Sequence, residues 1–464
     1  MGILISALPF AVAAVGLVAL GWPAPLAGAA SLAAAVLVAV VWPGLKVAAV
    51  PGAMLGGLGT SAQVLYVLFG GLLLYNLLLA GGAVEEVSRF LGRLEPDRVA
   101  LAAGVVVGVA PFFESVTGFG VAVIISAPIL LAAGFTPLRA AVLASWGQCA
   151  VPWGALGVGT VIGSHLAGMG FGTLSDASAL LSLPLFPIYG LSAVALADGW
   201  NGVRRRGAEA VALGLVTGVG ALLTSLYLFP ELSGAVGGLA AAAVFLAWRR
   251  RRLAGVPVRA VLPYAFLLAL LAATNGIREL RTVLATLGPI SDGPGLPLLV
   301  SGVFAAVLLG VGGGQIVAAA RRTTAQWLPT AGAVLTFVLA GEVVAGSGAA
   351  ELLAREAEAL GGLFPAASPV LAALGGAFTG SNAASNALFM PLQVEAARGL
   401  DLSAGLTAAV QNVAGSHASM LAPQRLVLAA TAVGLLGREG EILRTAIAPV
   451  AVSVGLLAIL GMFA

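Results

Sequence analysis

Apolar runs close to twenty residues long recur from one end of this 464-residue chain to the other. Runs of that length match the hydrocarbon thickness of a bilayer when they are wound as helix. With 60% hydrophobic and only 9% charged residues, a soluble core of this size would have too little polar surface to cover it. The expected class is therefore an all-α polytopic membrane protein. Met1 is followed at once by apolar residues with no basic stretch, so no cleavable signal stands out and the first span is expected to be retained. The single cysteine, Cys149, excludes an internal disulfide, and two histidines leave little for a metal site. A net charge of +3, carried mostly in short connectors, does not point to nucleic acid.

Two short polar stretches interrupt this pattern. One is Pro111-Phe112-Phe113-Glu114-Ser115-Val116-Thr117-Gly118-Phe119-Gly120; the other is Thr379-Gly380-Ser381-Asn382-Ala383-Ala384-Ser385-Asn386. Neither pair of flanking arms is long enough for two crossings. Both read as tips of re-entrant hairpins, at 99–134 and 369–396, that face each other near mid-bilayer.

Around the tips the spans fall at 2–21, 24–42, 60–80, 177–197, 208–228, 232–248, 259–274, 296–314, 327–346 and 445–463. Broken segments lie at 138–163 and 403–436, and amphipathic stretches at 83–98 and 349–360. The sum is about 12 transmembrane helices plus two hairpins. Loops near 89–98, 139, 204–206, 249–259, 321–322 and 438–444 carry about 16 basic residues against about five on the other side, which assigns them to the cytoplasm and both termini to the outside. The run 249–252 is read as such a topology signal. The same order of elements occurs at 1–197 and again at 259–464, separated by a helix pair at 198–258. Five crossings per repeat plus an even pair invert the second repeat relative to the first, the layout of secondary transporters.

Helix ends at such tips present free N–H groups and partial positive charge, so two opposed tips suit a small anion. Ser115, Thr117 and Gly118 on the first tip and Ser381, Asn382, Ser385 and Asn386 on the second add donors and acceptors; the alternative is that Ser and Asn only cap the half-helices. Glu114 is either a proton carrier or a neutral or Arg-paired acid. Arg425 either pairs a substrate carboxylate or lies at the cytoplasmic mouth. His417 is either a ligand-facing group or a satisfied buried imidazole. Gln148, Gln411 and Asn412 are candidate cavity residues on the broken segments, and Glu342 is expected near the outer interface. No nucleophile–base–orienter set, phosphate loop or metal cluster stands out, so neither catalysis nor a cofactor is expected.

At these residues the chain resembles the lactate permease family. The matching stretches are Phe113-Glu114-Ser115-Val116-Thr117-Gly118-Phe119-Gly120, Gly154-Ala155-Leu156-Gly157, Gly375 to Asn386, and Ala432-Val433-Gly434-Leu435-Leu436-Gly437-Arg438-Glu439-Gly440. Ala383 stands where the family usually has Thr, and 416–419 and 423–425 also depart from its pattern. The resemblance implies a plasma-membrane symporter of protons with lactate or a related 2-hydroxy monocarboxylate such as glycolate. It also implies a place in the wider ion transporter superfamily, with paired hairpins, elevator-type movement and homodimers. Glu114, Ser381, Asn382, Ser385 and Asn386 inherit site positions. A sodium-coupled carrier of another carboxylate, with Asn382 and Asn386 ligating the ion, and an anion channel are the alternatives.

Overall fold

The computed structural model describes residues 6–95, 97–118, 120–249, 255–286 and 293–462. Phe119 of the first tip, Arg250 to Arg252 of the basic run and the start of the first span lie outside the described residues. Among those described, every regular element is helical. We number the helices α1 (Leu8–Ala14), α2 (Ala24–Val41), α3 (Val50–Ala80), α4 (Ala83–Leu94), α5 (Arg98–Thr117), α6 (Val121–Ala132), α7 (Pro137–Trp146), α8 (Gly154–Ala167), α9 (Phe171–Ser182), α10 (Leu185–Tyr227) and α11 (Ser233–Ala247). There follow α12 (Val258–Gly276), α13 (Arg278–Thr286), α14 (Gly295–Leu309), α15 (Gly313–Ser347), α16 (Ala349–Ala357), α17 (Phe364–Thr379), α18 (Asn382–Gly399), α19 (Ala404–Ser419), α20 (Pro423–Val433) and α21 (Glu439–Gly461).

Nine helices among the described residues are long and apolar enough to cross a membrane, or ten if the bent pair α7 and α8 counts as one. The chain is thus a multi-pass membrane protein. The expected count of about 12 takes in Leu8–Ala19 and α14, which are apolar but shorter, the segment 403–436, and α10 as two spans; it leaves out α5 and α17, which are long enough to cross but which the sequence reads as hairpin arms. The two broken segments are broken where expected. α7 and the helical stretch Val151–Ala167 that contains α8 meet at 62° across residues 147–150, with Pro152 in the first turn after the break, where its missing N–H is tolerated, and α19 stops at Ser419 before Pro423 opens α20. α10 joins what the sequence reads as two spans; it bends at Asp198 and Gly199, where Gly199 takes φ +59.

Two groups of closely packed helices stand around the tips. In the first, α3 and α15 run antiparallel: Gly57 lies against Leu339 and Glu342, Trp327 Nε1 donates to the Leu65 carbonyl at 2.9 Å, and Asn76 Nδ2 donates to Thr323 and Gln326 at 3.0 and 2.9 Å. α2 packs along α15 and α14 along α3. In the second, α5 is buried over its whole length. A π-helical turn at Val105–Val109 frees the Val107 carbonyl, which accepts from Thr217 Oγ1 on α10. Gly104 and Gly108 on α5 face Phe245 and Ala242 on α11, and Gly234 and Gly238 face Ser115 and Phe112, so the absent side chains let α5 and α11 touch backbone to backbone.

The base of α5 is tied down electrostatically. Arg206 bonds Asp97 at 2.8 Å and Glu209 at 2.9 Å, and Arg249 bonds Glu209 at 2.6 Å and also Glu95. Arg249, read as a topology signal, is thus also a buried tether. Burial opposes the charge on Asp97, yet hydrogen bonds from Arg206 and the Val99 amide prevail and hold its carboxyl below the usual range.

Candidate functional site

The turn from α5 to α6 is made by two glycines of positive φ, Gly118 (+68) and Gly120 (+74). The turn from α17 to α18 is made by Gly380 (φ +63), after which the Ser381 hydroxyl caps α18 by accepting from the Ala384 amide. Only glycine takes these left-handed conformations without strain. Both turns border one cavity of about 730 Å³, together with the first residues of α8 and α20. Glu114, Gly118, Ser381, Asn382 and Arg425 all line it. Residues 311 positions apart in sequence are therefore neighbours here.

The centre of the cavity wall is an ion pair. Arg425 Nη1 lies 3.1 Å from Glu114 Oε1. The same guanidinium donates through Nε to the Gly380 carbonyl at 3.0 Å and through Nη1 to Gln148 Oε1. Glu114 is buried, with the amides of Gly120 and Ala122 turned to its carboxylate and no further partner on Oε2. The Arg425 side chain keeps 12% exposure, toward the cavity. Arg425 thus bridges both tips rather than sitting at a distant mouth, and of the two readings of Glu114 the structure places it against arginine. Its neighbour Gln424 donates to the Thr379 carbonyl at 2.6 Å, a second staple on the same tip.

Behind the second tip lies a buried network centred on Asn412. Its Oδ1 accepts from Asn382 and Asn386, each at 2.8 Å, and its Nδ2 donates to Ser178 at 2.9 Å and Thr160 at 3.0 Å. Asn386 also donates to the Gly159 carbonyl at 2.9 Å. Gln411 donates to Ser385 and accepts from Gln393, which in turn bonds Ser368. Asn382 and Gly159 are the members of this set that border the cavity, and the buried Asn382 Oδ1 has no partner.

Several expected site residues are therefore not at the cavity surface. Ser115 points at α11, where only Gly234 makes room for it. Thr117 bonds back to the Phe113 carbonyl at 2.6 Å. Ser385 packs under Gly375 and Gly415. Gln148, Asn386 and Asn412 stand one hydrogen bond behind the wall. His417 is fully buried against Tyr189, its Nδ1 3.1 Å from the phenol oxygen, while its Nε2 has no partner, so the imidazole is buried away from the cavity but only half satisfied. Glu342 pairs with His165 at 2.9 Å and so links α15 to α8. Thr160, Ser178, Gln393, Ser368 and Gln424 were not singled out in the sequence; a polar side chain inside an apolar helix was the available signal for each. Among the described residues no group of three or more His, Cys, Asp or Glu could hold a metal ion.

The sequence profile of the family described as L-lactate permease matches residues 2–255 and 289–464. The glycolate permease GlcA of Escherichia coli (strain K12) is 26% identical over 457 residues, covering 82% of this chain and 80% of that one. The L-lactate permease of Streptococcus iniae is 26% identical over 77% of this chain and 81% of its own length, and that of Bacillus subtilis (strain 168) 25% over 90% and 88%. Among solved structures, the YdaH transporter of Alcanivorax borkumensis aligns with a TM-score of 0.49 at 18% identity, over 89% of this chain and 86% of that one.

Proposed function

Because the chain belongs to the L-lactate permease family, we propose that it is a secondary transporter that carries lactate, glycolate or a related small 2-hydroxy monocarboxylate across the plasma membrane together with a proton. The observation that carries this reading is the Glu114–Arg425 pair on the cavity wall.

The charge balance gives the coupling. In the empty site a carboxylate and a guanidinium sum to zero. A substrate anion added to that pair leaves a net negative charge in a poorly solvated site, which is costly. Protonation of Glu114 releases Arg425 from its partner, and the substrate carboxylate takes the place of Glu114 on the guanidinium fork. The loaded site again sums to zero, so one proton accompanies one monocarboxylate. Asn382 borders the same cavity, and its Oδ1, buried and without a partner in the empty site, turns outward to accept the 2-hydroxyl. The first tip thus holds the proton, while the second orients the substrate and shares Arg425.

The same reading takes α5–α6 and α17–α18 as re-entrant hairpins of two inverted repeats, 1–197 and 259–464. At twelve residues, α6 is about 18 Å long, short of a hydrocarbon core of about 30 Å, which supports re-entry. The antiparallel run of α3 and α15, equivalent helices of the two repeats, supports the inversion. An elevator-type shift of the tip-bearing part, a homodimer, extracytoplasmic termini and the absence of a cofactor complete the proposal. Proteoliposomes loaded with alkaline buffer and placed in acidic medium are expected to accumulate labelled lactate or glycolate above equilibrium. Accumulation that needs sodium, or that never exceeds equilibrium, would favour the sodium carrier or the channel instead.

A further inference from the structure

A second cavity, of about 580 Å³, is not used by the site above. It is bordered by Gln63 and Val67 on α3, Leu156 and Val161 on α8, Asn275 on α12, and Gly293 ahead of α14. One residue, Val158, borders both cavities. Ala155 and Gly159 face the first cavity, whereas Leu156 and Val161 face the second. The wall between them is thus the first turn of α8.

That turn is unusual. Ala155, Leu156 and Gly157 take φ of +49, +59 and +84, so two residues with side chains sit in the left-handed region. Such a conformation is held only when its surroundings enforce it, and both tips do so here. A Cβ on Gly118 would meet Ala155 at 2.8 Å, and one on Gly159 would meet Asn382 at 2.9 Å. A displacement of either tip removes what holds the turn.

The loops at the two cavities head helices that run in opposite directions. The first cavity is bordered by the 21–25 loop that leads into α2, the second by 293–294 leading into α14. α2 runs alongside α15, with Pro25 by Gly332 and Gly28 by Thr336; α14 runs alongside α3, with Gly293 by Gln63 and Leu298 by Gly70. Since α3 and α15 are antiparallel, so are α2 and α14, and the loops that head them face opposite ways.

We propose that the second cavity is the vestibule by which the carboxylate reaches, or leaves, the Arg425 site from the other face of the membrane, and that the 155–158 turn with the Leu156 and Val158 side chains is the barrier between the two vestibules. The proposal rests on the transport reading, but its test does not need transport. Single cysteines are placed in the full chain, whose own Cys149 is buried, and a charged, membrane-impermeant thiol reagent is applied to one face at a time. Thr330→Cys in the first cavity and Asn275→Cys in the second are expected to react from opposite faces only, and Val158→Cys from both. Reaction of Thr330→Cys and Asn275→Cys from the same face, or of Val158→Cys from one face only, would overturn it. As a second variant, Val158→Ala is expected to raise lactate leak without a pH gradient at least severalfold; a leak no greater than that of the parent counts against the barrier. The expected labelling pattern in a protein that moves no carboxylate would sink the transport reading and leave the two-vestibule path standing.

Discussion

Replacing Glu114 by Gln tests the exchange of carboxylates at Arg425 directly. The substitution keeps the size and one oxygen of the side chain but removes the anion that, among the described residues, pairs with the guanidinium in the empty site. Removing one partner of a buried ion pair costs about 3–5 kcal/mol. The lower end applies here, because Arg425 keeps 12% exposure and its hydrogen bonds to Gln148 and Gly380. A lactate carboxylate entering the Gln variant supplies the missing charge and recovers about 3 kcal/mol, or roughly 100-fold in affinity. The parent binds only as Glu114 takes a proton, so its affinity falls as pH rises; the variant, with nothing to protonate there, binds with the same affinity across that range. Calorimetric titration of the purified protein with lactate at several pH values reads both effects, and ligand-induced heat stabilisation provides a second measure. Glu114→Gln is also expected to exchange lactate for lactate while losing pH-driven accumulation. Weaker binding than the parent at neutral pH, or a pH slope that survives the substitution, would refute the exchange.

Arg425→Lys keeps the charge but cannot bond Glu114, Gln148 and the Gly380 carbonyl from one planar fork; lactate affinity is expected to drop at least about tenfold in the same titration. Asn382→Leu removes the acceptor assigned to the 2-hydroxyl, and the preference for lactate over propionate in competition uptake is expected to shrink by about 1–3 kcal/mol, that is, about 5- to 150-fold. Gly376→Ala would drive a methyl into the Gly415 carbonyl oxygen, where backbone faces backbone and nothing flexible can yield; a loss of about 3 kcal/mol or more, seen as a lowered melting temperature or lost expression, is expected. Asp97 has a carboxyl held below its ordinary range, so its contribution to stability is present above the unfolded value and is lost as pH falls through the folded one. Asp97→Asn is therefore expected to lower the melting temperature at neutral pH and to narrow the difference from the parent in acid, as measured by scanning the detergent-solubilised protein from pH 7 to pH 3.

Much of this molecule is legible in its sequence, for a physical reason. Bilayer thickness fixes helix length, and backbone hydrogen bonding fixes helix as the form, so apolar run length locates α2 and α12 within two residues and α21 within six. Glycine and proline mark where those rules are suspended, which is why the tips at Gly118 and Gly380 and the break just before Pro152 are visible as local exceptions. The polar residues at the tips are visible for the same reason. Which of them face the cavity is not a local property. Ser115 and Asn386 are as polar as Ser381 and Asn382, yet the first pair is packed away against α11 and α8 while the second pair borders the cavity. Arg425 illustrates the limit most sharply. By sequence it is one cation among connectors; only the packing of α20 beneath both tips brings it to Glu114. Sequence alone thus determined the class, most of the apolar helices and the two interrupted tips, since each follows from length and backbone chemistry. Tertiary structure alone decided the ion pair, the Asn412 network and the shared wall at Val158, because each joins residues from separate helices whose rotation and depth no local pattern encodes.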